Sequence, residues 1–169
     1  MPKDGRTQMH IPTDRMRLIN FFAELVKQHH GDFDTMLDIG CGATHTVWKR
    51  IYGDKYKGLD VFEKFNADYV GDGCDLSRFE SNSRDVVCSW STIEHVAHPY
   101  AMLEEMKRVS RGTVLFTTDY TERDKNRSQN HLYAWTEKIL GQLVNRIHKD
   151  NKVYMLKNML IGVMYNCDK

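Results

Sequence analysis

The chain has no long apolar run, no internal repeat and no low-complexity tract. It contains nothing close to the about eighteen consecutive apolar residues that span a bilayer, and its amino terminus has no apolar segment of the signal-peptide type. Its four cysteines lie far apart without Cys-x-x-Cys spacing, which predicts separate reduced thiols rather than disulfides or a zinc site. We therefore expect a cytoplasmic protein without a membrane span.

The chain also has almost no net charge. Twenty-four Lys and Arg residues balance twenty-three Asp and Glu residues, so no overall electrostatic field attracts nucleic acid. Its 169 residues, of which 41% are hydrophobic, are enough for one buried core but not for two. The sequence thus predicts a single domain over residues 1–169, in which residues 1–12 are flexible or form a lid.

Two short segments carry the main functional signal. Residues 36–42 (MLDIGCG) and 57–62 (KGLDVF) each resemble an apolar strand, and the first ends in a glycine turn and the second near an acid. Gly40 and Gly42 allow the backbone to turn sharply and to approach a ligand closely. Asp60 is positioned to accept hydrogen bonds from both hydroxyls of a ribose. Together these segments predict a nucleoside pocket.

Asp38, Gly40 and Gly42 form an acid-x-Gly-x-Gly turn. This turn resembles that of class I S-adenosylmethionine-dependent methyltransferases of the type 11-like group, and the resemblance extends over roughly residues 13–166. It implies that S-adenosylmethionine is the cofactor and that its methyl group is transferred to an acceptor. A dehydrogenase that binds NAD would instead show Gly-x-Gly-x-x-Gly, but His45 occupies the third glycine position, where helix and strand pack closely.

Strand and helix patterns alternate along the chain, which predicts an α/β, Rossmann-like, doubly wound and mostly parallel sheet that ends in an antiparallel hairpin. Strands are predicted near residues 35–39, 56–61, 68–71, 85–90, 113–118, 152–156 and 160–165, and helices over 13–30, 44–52, from 99 and over 134–148.

Only residues 63–67 separate the second and third predicted strands, which is too few for a crossover helix. We therefore expect this helix to be missing or reduced to a turn, so that the sheet is poorly covered near the cofactor. A partner subunit, such as a second copy in a homo-oligomer, or the amino-terminal segment is expected to cover that face.

The family resemblance implies further cofactor contacts. It assigns the adenine amino group to the carboxylate of Asp72 and a ring nitrogen to the main-chain N–H of Gly73, with Asp75 as the alternative acid. Phe62 either packs against adenine or belongs to the core. Two more predicted contacts lie in the glycine turn and beside the ribose acid, at Cys41 and Val61.

The end of the fourth predicted strand, Ser89 and Trp90, is where the family positions a main-chain carbonyl against the methionyl ammonium. The acceptor site begins at the same point, so Trp90 either lines that site or is structural. Later in the chain, His131 is predicted to be an exposed loop histidine, with contact to the acceptor as the alternative.

Methyl transfer needs few catalytic groups because the sulfonium already activates the methyl group. A hydroxyl acceptor still requires a general base or a metal. Glu94 and His95 are the candidates, either with His95 as the base or as a structural pair that fixes the loop. The segment is similar to a Glu-x-x-Glu-His metal cluster of some quinone-biosynthesis O-methyltransferases, but Ser91 replaces the first carboxylate, so we predict no metal site.

The chain has no long insertion that would shape an acceptor pocket. We therefore expect an open cleft, or a site completed by oligomerisation, and an acceptor that is a small metabolite, a sugar or a lipid rather than a nucleic acid. Two other functions remain open from the sequence: a catalytically silent S-adenosylmethionine-binding subunit that supports a partner enzyme, and an NAD-dependent oxidoreductase.

Overall fold

The computed structural model describes residues 13–120, 130–156 and 159–168. The expected lid over residues 1–12 lies outside these ranges, as do residues 157–158 between the two strands of the predicted hairpin. Contacts divide the chain into two units, Met1–Gly31 and Asp32–Lys169. The described part of the first unit is helix α1 (Thr13–His29), which ends where Gly31 takes a positive φ of 88°.

The second unit is built on a seven-stranded sheet with the strand order β3-β2-β1-β4-β5-β7-β6. The first five strands in chain order run parallel, whereas β7 is antiparallel to both β5 and β6. This confirms the predicted architecture. The elements are β1 (Met36–Ile39), α2 (His45–Tyr52), β2 (Tyr56–Asp60), β3 (Tyr69–Val70), β4 (Arg84–Trp90), α3 (Pro99–Val109), β5 (Ser110–Asp119), α4 (Glu137–Ile147), β6 (Asn151–Leu156) and β7 (Met159–Met164).

The two faces of the sheet are covered differently, because alternate strand residues point to opposite sides. On one face, Trp48 of α2 stacks on Tyr56 of β2 and on Trp90 of β4, with ring centroids 6.4 and 6.0 Å apart. On the other face, α3 and α4 contribute to an aliphatic core that includes Leu37, Val87, Met102, Leu103 and Leu140.

The connection between β2 and β3 has no α-helix. It contains only a 3₁₀ turn, Glu63–Phe65, after which Asn66 takes a left-handed φ of 52°. Residues 71–83 form turns, without a helix. The prediction of a missing crossover helix is therefore confirmed, and three apolar side chains near this edge of the sheet are exposed: Val61, Phe62 and Val70.

No helix within the described ranges is both long and apolar enough to traverse a lipid bilayer. The parallel strands instead define the functional edge of the molecule. Because β1, β2, β4 and β5 run in the same direction, their carboxyl ends meet at one edge of the sheet, where such folds bind their ligands.

Candidate functional site

The glycine turn after β1 is attached to the neighbouring strand. The main-chain N–H groups of Gly40 and Cys41 both donate to the carbonyl oxygen of Leu59, at 2.8 and 3.1 Å. Gly40 has a φ of 73°, and a Cβ atom at this position would collide with the side chain of Thr92. Gly40 is therefore required both by its backbone conformation and by the loop packed over it.

Gly42 has a different environment. Its φ is 50°, but a Cβ atom here would meet no heavy atom within 4 Å. The turn thus presents bare backbone to open space. This is the geometry that a closely approaching ligand needs.

The acid at the end of β2 contacts this turn directly. One carboxylate oxygen of Asp60 accepts a 2.8 Å hydrogen bond from the N–H of Gly42, and the other accepts a 2.9 Å bond from the N–H of Phe62. Each carboxylate oxygen has a second lone pair that can accept from a hydroxyl. The predicted ribose acid and the predicted glycine turn are therefore joined.

Asp38, the first acid of the turn motif, lies beneath the loop. Its side chain is 0% exposed, and its carboxylate accepts a 2.8 Å hydrogen bond from the hydroxyl of Tyr56. Desolvation by burial raises the pKa of Asp38 to about 7, although the hydrogen bonds from Tyr56 and Cys88 lower it. Asp38 thus supports the turn from below and does not face the cleft, unlike a residue in contact with the cofactor.

The residues after Asp60 lie at the surface. Val61 is 60% exposed and Phe62 is 56% exposed, which excludes the core role considered for Phe62. The Phe62 ring meets Phe65 edge to face at 6.1 Å, and the ammonium of Lys64 lies 5.0 Å from the centroid of each ring. An aromatic face is therefore available beside the ribose acid.

Asp72 and Asp75, the two acids considered for binding adenine, lie in similar turns but have different neighbours. Asp72 accepts from the N–H of Cys74 at 2.9 Å, and Asp75 accepts from the N–H of Ser77 at 3.0 Å. A Cβ atom at Gly73 would lie 2.6 Å from Ile39, so the residue that follows Asp72 packs against the end of β1. Asp75 instead has its pKa lowered by Ser77 and, more weakly, by the charge of Arg108. This geometry favours Asp72.

The end of β4 is anchored on both sides. The buried Ser89 hydroxyl donates to the carbonyl oxygen of Ile39 at 2.9 Å, and Trp90 continues the aromatic stack of α2. Ser91 then takes a positive φ of 49°. The Ser89 side chain is therefore structural, which leaves the main chain of this segment for ligand contacts.

Glu94 and His95 follow this turn in contrasting environments. Glu94 is buried, accepts a 3.0 Å hydrogen bond from the Thr118 hydroxyl, and has a pKa raised by desolvation. His95 is exposed, and its Nδ1 lies 2.9 Å from the carbonyl oxygen of Asn130. Because a carbonyl oxygen only accepts, Nδ1 carries the proton and Nε2 of the neutral ring holds a lone pair.

The sequence did not reveal two features of the site. His131, predicted to be exposed, has a side chain only 11% exposed, and its ring meets that of His95 edge to face at 4.7 Å. No role was predicted for Asp68 from the sequence. Its carboxylate accepts hydrogen bonds from His45 at 2.8 Å and from the N–H of Gly58 at 3.0 Å. These partners are 23 and 10 residues away in the chain, so only the fold reveals them.

Comparison with known proteins gives one family match. Residues 37–116 match the family model described as a methyltransferase domain. A search of curated proteins finds no significant match.

Three solved structures share the fold. An S-adenosylmethionine-dependent methyltransferase from Aquifex aeolicus is 19% identical, with a TM-score of 0.65 over 91% of this chain and 93% of its own. One from Archaeoglobus fulgidus is 11% identical, with a TM-score of 0.71 over 88% and 93%. A chain of the Haloferax volcanii complex between the Trm112 methyltransferase activator and a methyltransferase is 16% identical, with a TM-score of 0.64 over 91% and 94%.

The fold belongs to the Rossmann-like α/β class, as in the solved methyltransferases that it resembles. Within that class, residues 37–116 carry a methyltransferase domain, and S-adenosylmethionine is its cofactor. The residues present fit this molecule, because open space lies over Gly42 and the ribose acid lies against the same turn.

Proposed function

We propose that this enzyme transfers the methyl group of S-adenosylmethionine to a small metabolite, a sugar or a lipid in an open cleft at the carboxyl ends of β4 and β5. The observation that carries the proposal is the 2.8 Å hydrogen bond from the N–H of Gly42 to the carboxylate of Asp60. This bond brings the carboxylate that would bind ribose next to exposed backbone. Both lie at the edge of the sheet that parallel α/β folds use for ligands.

In this proposal the bound cofactor supplies a methyl group that its sulfonium has already activated. Asp60 accepts from the ribose hydroxyls and Asp72 from the adenine amino group, while the Phe62 ring lies beside the base. The main chain at Ser89 and Trp90 faces the methionyl end. The work of the protein is then chiefly to hold the acceptor in line with the methyl group.

The acceptor side of this cleft is formed by Glu94 and His95. Glu94 anchors the loop, since its side chain accepts from Thr118 and its main-chain carbonyl from Leu132 at 2.8 Å. His95 offers the lone pair of Nε2 to a proton or to a cation. We assign these two residues to acceptor activation on that basis.

Calorimetric titration with S-adenosylmethionine, S-adenosylhomocysteine and NAD tests the cofactor assignments. We expect the first two to bind and Asp60→Ala to weaken them by about 2–3 kcal/mol, the value of hydrogen bonds to a charged group. Asp54→Ala removes an exposed acid at the opposite end of β2 and serves as the control. Binding of NAD alone, or unchanged affinity in Asp60→Ala, would reject these assignments.

An acceptor screen that follows release of S-adenosylhomocysteine tests the enzymatic part. Product from a sugar, a lipid or a small metabolite supports the proposal, whereas no turnover despite cofactor binding favours a silent subunit. Light scattering addresses the remaining expectation, that a partner, a second copy or the amino-terminal segment covers the face near Val61 and Val70. A strictly monomeric enzyme in which residues 1–12 are also disordered would contradict that expectation.

A further inference from the structure

Three side chains with metal-binding atoms converge on the acceptor side of the cleft. One such atom from each of Glu94, His95 and His131 lies within 4.8 Å of the other two. The loops that carry them are tied by main-chain groups, because the N–H of Leu132 donates to the carbonyl oxygen of Glu94 and the carbonyl of Asn130 accepts from His95. The cluster is therefore held by the fold and not by the side chains alone.

The carboxylate of this cluster is only half satisfied. Glu94 is 1% exposed, its Oε2 accepts from Thr118, and its Oε1 has no hydrogen-bond partner among the described residues. A buried carboxylate oxygen costs free energy unless it is paired with a donor or a cation. Oε1 therefore requires a partner that the neighbouring hydrogen bonds do not provide.

The His95 ring is oriented in the way that metal-binding histidines usually are. Its Nδ1–H donates to a main-chain carbonyl, which fixes the tautomer and leaves Nε2 as the ligand atom. His131 contributes the second imidazole, and its Nε2 lies 3.9 Å from a carboxylate oxygen of Asp119. This second carboxylate strengthens the preference of the cluster for a positive charge.

We propose that Glu94, His95 and His131 bind a divalent transition-metal ion of the Zn²⁺ or Mn²⁺ kind, which holds a hydroxyl group of the methyl acceptor. Two imidazoles and one carboxylate are a donor set of catalytic metal sites that keep an open position, whereas Mg²⁺ and Ca²⁺ prefer oxygen ligands alone. Ligand bonds of about 2.0–2.2 Å require the side chains to close by roughly 1 Å.

The sequence predicted no metal site, because Ser91 replaces the first carboxylate of the known cluster. The proposed site replaces that prediction. The third ligand comes instead from His131, which lies 36 positions beyond His95 and next to it in space. The metal site is inferred from the positions of the three side chains alone. Its role in catalysis, in contrast, rests on the proposed function. In that role the acceptor is an alcohol or a phenol.

The chemistry of such a step balances without a further reactant. The hydroxyl held by the ion releases its proton to water, because a bound divalent ion stabilises the deprotonated oxygen. A lone pair of that oxygen forms the new O–CH₃ bond, and the electron pair of the breaking S–CH₃ bond leaves with sulfur. The products are a methyl ether, S-adenosylhomocysteine and one proton.

The test is a titration of chelator-treated protein with Co²⁺, followed by visible absorption and by calorimetry. We expect one Co²⁺ per chain, displaced by Zn²⁺, and at least a tenfold loss of affinity in His131→Asn and in Glu94→Gln. His98→Asn is the matched control, because His98 is an exposed histidine three residues beyond His95. Circular dichroism and S-adenosylmethionine affinity, measured on every variant, verify that the fold and the cofactor site are intact.

Equal Co²⁺ affinity in the wild type and in folded His131→Asn would overturn the metal site, as would an equal loss in His98→Asn. Failure of Co²⁺ binding together with normal S-adenosylmethionine binding rejects this inference alone. Normal Co²⁺ binding without S-adenosylmethionine binding rejects the proposed function and retains the site.

Discussion

His45 occupies the space that a side chain at Gly58 would need. A Cβ atom at Gly58 would lie 2.6 Å from the His45 ring and 2.8 Å from the sulfur of Cys41. Nucleotide-binding folds with the dinucleotide motif achieve close packing of helix on strand with a glycine in the turn. Here the glycine lies in the strand and the bulky residue in the helix, which explains why the dinucleotide pattern is absent.

This packing predicts the effect of Gly58→Ala. The added methyl group has buried neighbours on two sides, so we expect a loss of about 1–3 kcal/mol in the free energy of unfolding. Gly71→Ala is the control, because its Cβ would meet Leu59 at an ordinary 3.7 Å. Urea denaturation of both variants measures the difference, and equal stability would show that His45 moves aside without cost.

Gly42→Ala should separate cofactor binding from folding. No atom obstructs the new Cβ, so the cost in stability is the left-handed backbone strain alone, about 1 kcal/mol. The methyl group would enter the space assigned to the cofactor. We expect S-adenosylmethionine affinity, measured by calorimetry, to fall at least tenfold. Unchanged affinity would show that the cofactor does not approach this backbone.

Asp72→Ala and Asp75→Ala form a matched pair, since each variant removes one carboxylate that caps a main-chain N–H two residues ahead. We expect only Asp72→Ala to weaken S-adenosylmethionine binding, by about 1–2 kcal/mol, because in the proposed function its carboxylate accepts from the adenine amino group. Calorimetry on both variants decides between the two acids. The opposite order would assign adenine to Asp75.

Asp38 predicts a pH dependence of stability. Its pKa rises from 3.8 in the unfolded chain to about 7 in the folded protein, so between these values the folded state holds a proton that the unfolded state has lost. Stability therefore falls as pH rises through this window. Between pH 5 and pH 8 the wild type should lose roughly 3 kcal/mol more than Asp38→Asn does.

Urea denaturation of both proteins at the two pH values measures this difference. The groups that face Asp38 are Tyr56 and Cys88, which hydrogen-bond to it, and the charge of Asp60. All three are unchanged in Asp38→Asn, so the variant isolates the one carboxyl group. Parallel pH profiles would mean that Asp38 is ionised in the fold.

The sequence was sufficient for the elements that local patterns determine. The glycine turn, the acid of β2 and the missing crossover helix were all predicted, because turn chemistry, strand endings and loop length are local properties. The position of helix α3 was predicted for the same reason, from the apolar face that follows Pro99.

The sequence did not predict contacts between segments that are distant in the chain. His131 was predicted to be an exposed loop histidine, with contact to the acceptor as the alternative, because nothing in residues 130–136 indicates that its ring packs against that of His95. The same limit applied to Asp38, whose burial depends on Tyr56 from another strand. In both cases the partner is set by sheet order, which a short motif does not encode.

The short connection between β2 and β3 has a consequence for affinity. Eleven residues, 61–71, separate the acid assigned to ribose from the acid assigned to adenine. Both ends of that span are fixed by hydrogen bonds to Asp60, from the N–H of Phe62 to its carboxylate and from the N–H of Gly71 to its carbonyl oxygen. Few torsions remain to be frozen when a nucleoside enters, so little conformational entropy is lost on association. A preorganised half-pocket of this kind favours tight binding.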